Sequence, residues 1–341
     1  MHCAHFIHVN DIRKLSGQST GWVEVEKILV KIFVAGATGV IGRRLIPLLV
    51  DAGGDVTAVA RTKAKADQLK KQGATPIAVD LFDAAAVKEA VSGHNTVINV
   101  ATRIPSGFRA LLPGAFNENA RIRREASKNL ANAAIATRAQ RYVQESFAPA
   151  YPDRGDEWID EDVPIMPGTY IESVSDAESA ATSFTRSGGA GVVLRFSILY
   201  GPDSSLTLDT VKSVCRGFAP VFGGGEGFMS SIWTDDAAAA VFASLRVPAG
   251  NYNITDNVPM RRREVFDLLA QAFGVKPPRI PPLWVTKLAG SLGDTTGRSH
   301  RLSNAKFRQA SGWVPKVSSV REGWKLLAAE LKAGPGAPAQ A

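Results

Sequence analysis

From Lys31 onward, short β-rich apolar runs alternate with stretches of helical spacing. Lys31-Ile32-Phe33-Val34-Ala35 reads as a first strand. Residues 40–52 then place Ile41, Leu45, Leu48 and Leu49 on one helical face. Residues 55–60 form a second strand, and a charged helix is expected over 62–72. Strands three to six are expected at 76–79, 96–100, 141–144 and 191–196. Long helices are expected near 117–137 and 170–187. Apolar strands separated by helices imply an α/β fold with a parallel sheet covered on both faces.

After about residue 198 the alternation weakens, and Pro- and Gly-rich stretches such as residues 276–282 separate shorter helices. The expected organisation is a Rossmann-type doubly wound domain over 28–197. A smaller C-terminal substrate lobe over 198–333 would return segments to the sheet. Residues 1–27 do not fit the pattern and read as a flexible extension. Their His2, Cys3, His5 and His8 lack a second ligand cluster to close a metal site. Residues 334–341 read as a disordered tail.

Of the 341 residues, 45% are apolar, but no run of 18 would span a membrane. Neither a signal peptide nor a disulfide framework is expected, since Cys3 and Cys215 are the only cysteines. This favours a cytoplasmic protein. The net charge of +8 is dispersed. The clusters Arg121–Arg124 and Arg261–Arg263 read as solvated faces, so neither a nucleic acid nor a membrane is an expected partner.

The first strand–helix junction carries the clearest chemistry. Gly36, Gly39 and Gly42 stand three apart in Gly36-Ala37-Thr38-Gly39-Val40-Ile41-Gly42. Gly36 permits the tight turn, Gly39 admits a pyrophosphate, and Gly42 lets helix and sheet approach. The helix start offers free N–H groups to phosphate. Strand two ends in Arg61 where NAD enzymes usually carry an acid, which favours NADP(H), with NAD kept open. Asp80 is placed to accept from the adenine amino group, with Leu81 beside it. Asp80 could instead cap the following helix. Ala101 and Thr102 would lie beside the nicotinamide ribose.

These features resemble the extended short-chain dehydrogenase/reductase superfamily, the NAD(P)-dependent epimerase/dehydratase group. The likeness extends through Asp80-Leu81, Leu194–Pro202, Ile232–Ala238, Asn251–Ile254 and Gly312–Pro315. It implies an oxidoreductase acting on a carbonyl or hydroxyl of a small molecule, a sugar nucleotide among the candidates. Many relatives form homodimers through the two long helices. The family's chemistry uses a Tyr, a Lys four residues later and an upstream Ser or Thr. Here Tyr170 stands in the tyrosine's place, but Val174 replaces the lysine. No Tyr-x-x-x-Lys occurs anywhere in the chain. Ser146 is the candidate polarising hydroxyl, although alignment on Tyr151 puts Phe147 in that position. Glu145, Glu172, Ser173, Arg103 and Arg109 are further polar candidates, while His94 and His300 read as structural. The missing lysine also leaves open a non-catalytic NADP(H)-binding redox sensor or regulatory protein.

Overall fold

Seven strands pair into one sheet: β1 (Lys31–Ala35), β2 (Asp55–Val59), β3 (Thr75–Ile77), β4 (Thr96–Asn99), β5 (Arg141–Phe147), β6 (Ala190–Phe196) and β7 (Gly250–Ile254). The computed structural model describes residues 30–105, 112 and 114–333. The strand order is 3-2-1-4-5-6-7, and every pairing is parallel. The chain leaves β1 for β2 on one side and later returns to β4 on the other. That reversal opens a crevice outside the carboxyl ends of β1 and β4.

Helices α1 (Gly42–Asp51), α2 (Lys63–Lys71), α3 (Ala84–Val91), α4 (Asn117–Arg121), α5 (Ser127–Ala136) and α6 (Ser173–Arg186) connect the first six strands. Strand alternation divides the core into two layers. Ile32, Val34, Val56, Ile98, Val143 and Leu194 face α1 and the later helix that packs on it. Phe33, Val97, Tyr142 and Val193 face α3, α5 and α6. Each layer removes apolar side chains from water, at about 25 cal/mol per Å².

Beyond β6 the chain adds α7 (Ser205–Cys215), α8 (Thr234–Ala243), which packs on α1, and α9 (Arg262–Phe273). Val211, Val214, Val265, Leu269, Trp324 and Leu327 form a separate core cluster. Two aspartates at the start of α8 tie it to other elements. Asp235 pairs with Arg44 of α1 at 3.0 Å. Asp236 accepts from the backbone N–H groups of Lys316 and Val317 at 2.8 and 2.9 Å. This ties the Thr234–Asp236 helix start to the segment following Gly312.

Most bounds shift by a residue or two, and three elements differ in ways that bear on the site. Strand β5 runs to Phe147 rather than stopping at 144, because Glu145, Ser146 and Phe147 continue the ladder opposite Leu194, Arg195 and Phe196. Their polarity hides a strand whose polar side chains are buried and paired. The helix near 117–137 is interrupted by a π-turn at Ile122–Ala126. The helix near 170–187 begins only at Ser173, so Tyr170 sits in a separate 3₁₀ turn, Thr169–Ile171. No helix among the described residues is long and apolar enough to cross a membrane.

Candidate active site

The glycine loop occupies residues 36–41, between β1 and α1. Gly36 has φ +85°, and a Cβ there would lie 2.5 Å from the Val100 carbonyl and the Ala101 nitrogen. A Cβ on Gly42 would lie 2.2 Å from the Gly36 carbonyl oxygen. The loop is therefore packed directly against the exit of β4, with no room for side chains. Helix α1 has no side-chain N-cap and no acidic residue in its first turn. The N–H groups of Thr38, Val40, Ile41 and Gly42 suit a bound pyrophosphate, while those of Gly39, Arg43 and Arg44 donate to carbonyls within the loop.

The adenosine side is equally open. Arg61 is exposed at the end of β2 and forms no hydrogen bond or ion pair among the described residues. Thr62, not Arg61, caps α2 by accepting from the Lys65 N–H. Asp83 caps α3 by accepting from Ala85 and Ala86. Asp80 is thereby released from the capping role and only closes a local turn with the Phe82 N–H at 3.0 Å. Leu81 is held through its carbonyl by Asn129 at 3.0 Å. Ala101 donates its N–H to Asn99 Oδ1, leaving Ala101 and exposed Thr102 at the mouth of the crevice. These residues fit an extended dinucleotide.

Tyr170 lies in the 3₁₀ turn just before α6. Its ring meets Phe116 edge-on, with centroids 4.4 Å apart. Like Phe147 and Ile165, it packs against the buried cluster of Ala150, Ile171 and Val174. Val174 is fully buried, so the lysine's position is sealed by hydrocarbon. Burial pushes the Tyr170 phenol up to about 12, and the charge of Arg123 opposes the rise. The Tyr170 N–H donates to Ser291 Oγ at 3.0 Å, which anchors the turn to helix Gly290–Thr296.

Ser146 and Phe147 project to opposite sides of β5. Phe147 joins Tyr170, whereas Ser146 is fully buried and donates to Glu178 Oε1 at 2.6 Å. Glu178 also holds Arg195 through two bonds of 2.9 and 2.8 Å. Arg195 in turn donates to the Tyr151 hydroxyl at 2.6 Å. Glu145 goes elsewhere and pairs with Arg123 at 3.0 Å. That Arg123–Glu145 pair was not foreseen from sequence. Nothing in the spacing of residues 123 and 145 announces it.

The remaining candidates fall away from Tyr170. Arg103 pairs with Glu118 in solvent. Glu172 is exposed, and Ser173 is buried at the start of α6. His94 lies between the Val91 carbonyl and Thr57 Oγ1. His300 is buried against the Tyr151 carbonyl, and its desolvation lowers its pKa to about 4. Arg109, the His2–His8 group, and the terminal segments 1–27 and 334–341 lie outside the described residues.

The chain resembles known proteins in sequence and fold. Residues 36–212 match a family model described as NAD(P)H-binding. A 3-diazoavenalumate denitrifying reductase from Streptomyces sp is 33% identical over 310 residues, covering 86% of this chain and 99% of that protein. A 4-hydroxy-2-methyl-3-oxo-4-farnesyl-3,4-dihydroquinoline-1-oxide ketoreductase from Stigmatella aurantiaca is 25% identical, covering 90% and 98%. The UDP-glucose 4-epimerase of Thermotoga maritima, solved with UDP-glucose, superposes with a TM-score of 0.72 at 22% identity, covering 89% of this chain and 98% of that one. With the fold, the glycine loop and a reductase relative in agreement, the chain belongs to the extended short-chain dehydrogenase/reductase superfamily and is an NAD(P)-dependent oxidoreductase.

Proposed function

We propose that the protein is an NADP(H)-dependent reductase of a ketone, or of a similar electrophilic group, on a small molecule with an aromatic or alkyl body. The observation that carries this reading is the Tyr170 hydroxyl set in an apolar wall of Phe116, Phe147, Ile165 and Val174. Such a wall favours hydrocarbon and excludes water. Among the described residues, Arg103 pairs with Glu118, and Arg298 donates to the Tyr151 and Met166 carbonyls. This arrangement favours an apolar body over a sugar diphosphate. The printed names of the two relatives, a diazoavenalumate reductase and a farnesyl-quinoline ketoreductase, point the same way.

The cofactor, when bound, supplies hydride to the electrophilic carbon. The chain's own residues do the rest. The Gly36–Gly42 loop and the start of α1 hold the pyrophosphate, Arg61 the 2′-phosphate and Asp80 the adenine. Ala101 and Thr102 line the nicotinamide end. Tyr170 gives its hydroxyl proton to the substrate oxygen as charge develops there. Ser146 acts as a fastener of Glu178 rather than as a polarising group. The missing lysine is compatible with turnover in this reading, and a purely cofactor-binding sensor is its alternative. A homodimer through α4–α6 would rest on polar contacts. Those helices expose no large apolar side chain among the described residues, whereas stable dimer cores are apolar. Sedimentation velocity reads the state directly.

The test follows NADPH oxidation across aryl ketones, alkyl 3-oxo acids and UDP-sugars. Turnover is expected with the first two classes. Tyr170→Phe is expected to lower kcat by roughly 100-fold or more while NADPH still binds. Arg61→Ala should weaken NADPH about tenfold and leave NADH unchanged. Absence of turnover across the panel, with tight NADPH binding, would instead favour the sensor.

A further inference from the structure

Val174 offers Tyr170 no cation from the start of α6, but a buried cation approaches the same cluster from another element. Arg123 lies in the π-turn Ile122–Ala126, with its side chain only 3% exposed. Its guanidinium carbon sits 5.9 Å from the centre of the Phe147 ring. Phe147 and Tyr170 both pack against the buried cluster of Ala150, Ile171 and Val174. Glu145, at the carboxyl end of β5, accepts from Arg123 Nη2 at 3.0 Å and fixes the guanidinium from the strand side. A π-turn widens one turn of helix and re-aims its side chains, and such turns recur at functional sites.

The pairing is unusually incomplete for its depth. Arg123 Nε and Glu145 Oε2 are both buried without a hydrogen-bond partner among the described residues. The neighbouring buried pair behaves differently. Both oxygens of Glu178 are used, and Arg195 spends three nitrogens on Glu178 and Tyr151. A buried ion pair offsets its desolvation only when its remaining donors and acceptors are satisfied. Glu178–Arg195 meets that condition. Arg123–Glu145 does not, so stability alone does not account for a charge kept there.

We propose that Arg123 is the positioning cation of Tyr170, doing from the π-turn what a lysine at position 174 would do from α6. The reading rests on the reductase function proposed above. In the reductive direction the Tyr170 O–H bond breaks as a new O–H bond forms on the substrate oxygen. The hydride comes from NADPH, and the phenolate left behind is reprotonated from water. Arg123 offsets the phenolate charge in the interval. The other charged groups around Tyr170 are engaged or exposed. Glu118 pairs with Arg103, Arg121 with Glu125, Arg124 with Asp176, and Arg195 with Glu178. Glu172 and Asp294 are exposed. Among the described residues, Arg123 is the charge that acts on the phenol, and it acts toward ionisation, against the larger effect of burial.

The test needs no substrate. The five tyrosines are replaced by 3-fluorotyrosine, which brings phenol ionisation into an accessible range, and each is followed by ¹⁹F NMR. Tyr170→Phe assigns the Tyr170 resonance. Arg123→Met is expected to raise its midpoint by about one unit, a tenfold change in ionisation constant. Arg123→Lys should stay within about half a unit of the native chain. Glu145→Gln, which removes the counter-charge, should lower the midpoint. Should Arg123→Met not fold, Arg123→Lys and Glu145→Gln still read the same coupling. Identical midpoints in the native chain and the Arg123 and Glu145 variants would overturn the proposal, even if the ketone panel shows turnover. A shifted midpoint without turnover would leave the coupling standing and remove the proposed substrate class.

Discussion

Ser146 shows how little a residue type decides without its direction. A serine at the end of β5 suits catalysis, yet its hydroxyl is spent on Glu178 Oε1 at 2.6 Å, on the strand face away from Phe147. That oxygen also receives Arg195 Nε. Ser146→Ala removes one charge-assisted bond and leaves the ion pair intact, so a loss of about 2 kcal/mol in stability is expected. Turnover per folded molecule should be unchanged. Thermal unfolding and kcat measured on one preparation separate the two roles. A fall of 100-fold in kcat without a shift in melting would return Ser146 to the chemistry. Glu178→Gln should cost more, about 3–5 kcal/mol, because it strands Arg195 in the interior. The consequence of Val174 was legible in the sequence, since a helix brings residues four apart together. Arg123 was not, because its partner stands on β5 and a π-turn has no composition of its own.

At the scale of elements, the β1–loop–α1 unit was the most legible part of the chain. Three glycines at spacing three, between an apolar strand and an apolar helix face, encode a close approach of backbones. The structure adds what each glycine meets. Gly42 lies in helix, where Ala would ordinarily be favoured by about 1 kcal/mol. Its Cβ, however, would stand 2.2 Å from the Gly36 carbonyl oxygen and 2.6 Å from Ala37 backbone atoms. Backbone atoms cannot rotate aside, so the clash wins. Gly42→Ala is expected to destabilise by about 1–3 kcal/mol and to weaken NADPH at least tenfold by displacing the phosphate N–H groups. Fluorescence titration with NADPH checks the second effect. Wild-type affinity in Gly42→Ala would mean that the loop can relax outward at little cost. The ends of β5 and α6 were less legible because buried polar pairs and a 3₁₀ turn both break the periodicity that marks an element.

Across the whole molecule, two buried acids, Asp236 at the start of α8 and Asp256 just after β7, are coupled, and the titration of Asp256 should govern how stability falls toward pH 8. Asp256, just after β7, donates its N–H to the Ser231 carbonyl, and its Oδ1 accepts from Val258. Its Oδ2 is buried without a partner among the described residues. Burial raises its pKa to about 8, and the Asp236 charge adds to the rise while the Val258 N–H opposes it. The unfolded chain ionises this acid near 3.8, so the folded state alone keeps the proton between the two values. Stability from Asp256 is therefore complete at low pH and is lost as pH rises through about 8. His300 has the opposite sign, its contribution being lost as pH falls from 6.5 toward about 4. Between pH 6.5 and 9 the His300 contribution is already constant. Urea unfolding across that range should show stability falling with pH in the native chain. Asp256→Asn, which cannot ionise, should flatten the slope and be the more stable protein at pH 9. Parallel slopes for the two proteins would show that Asp256 is already ionised at neutral pH, and that its buried site tolerates the charge.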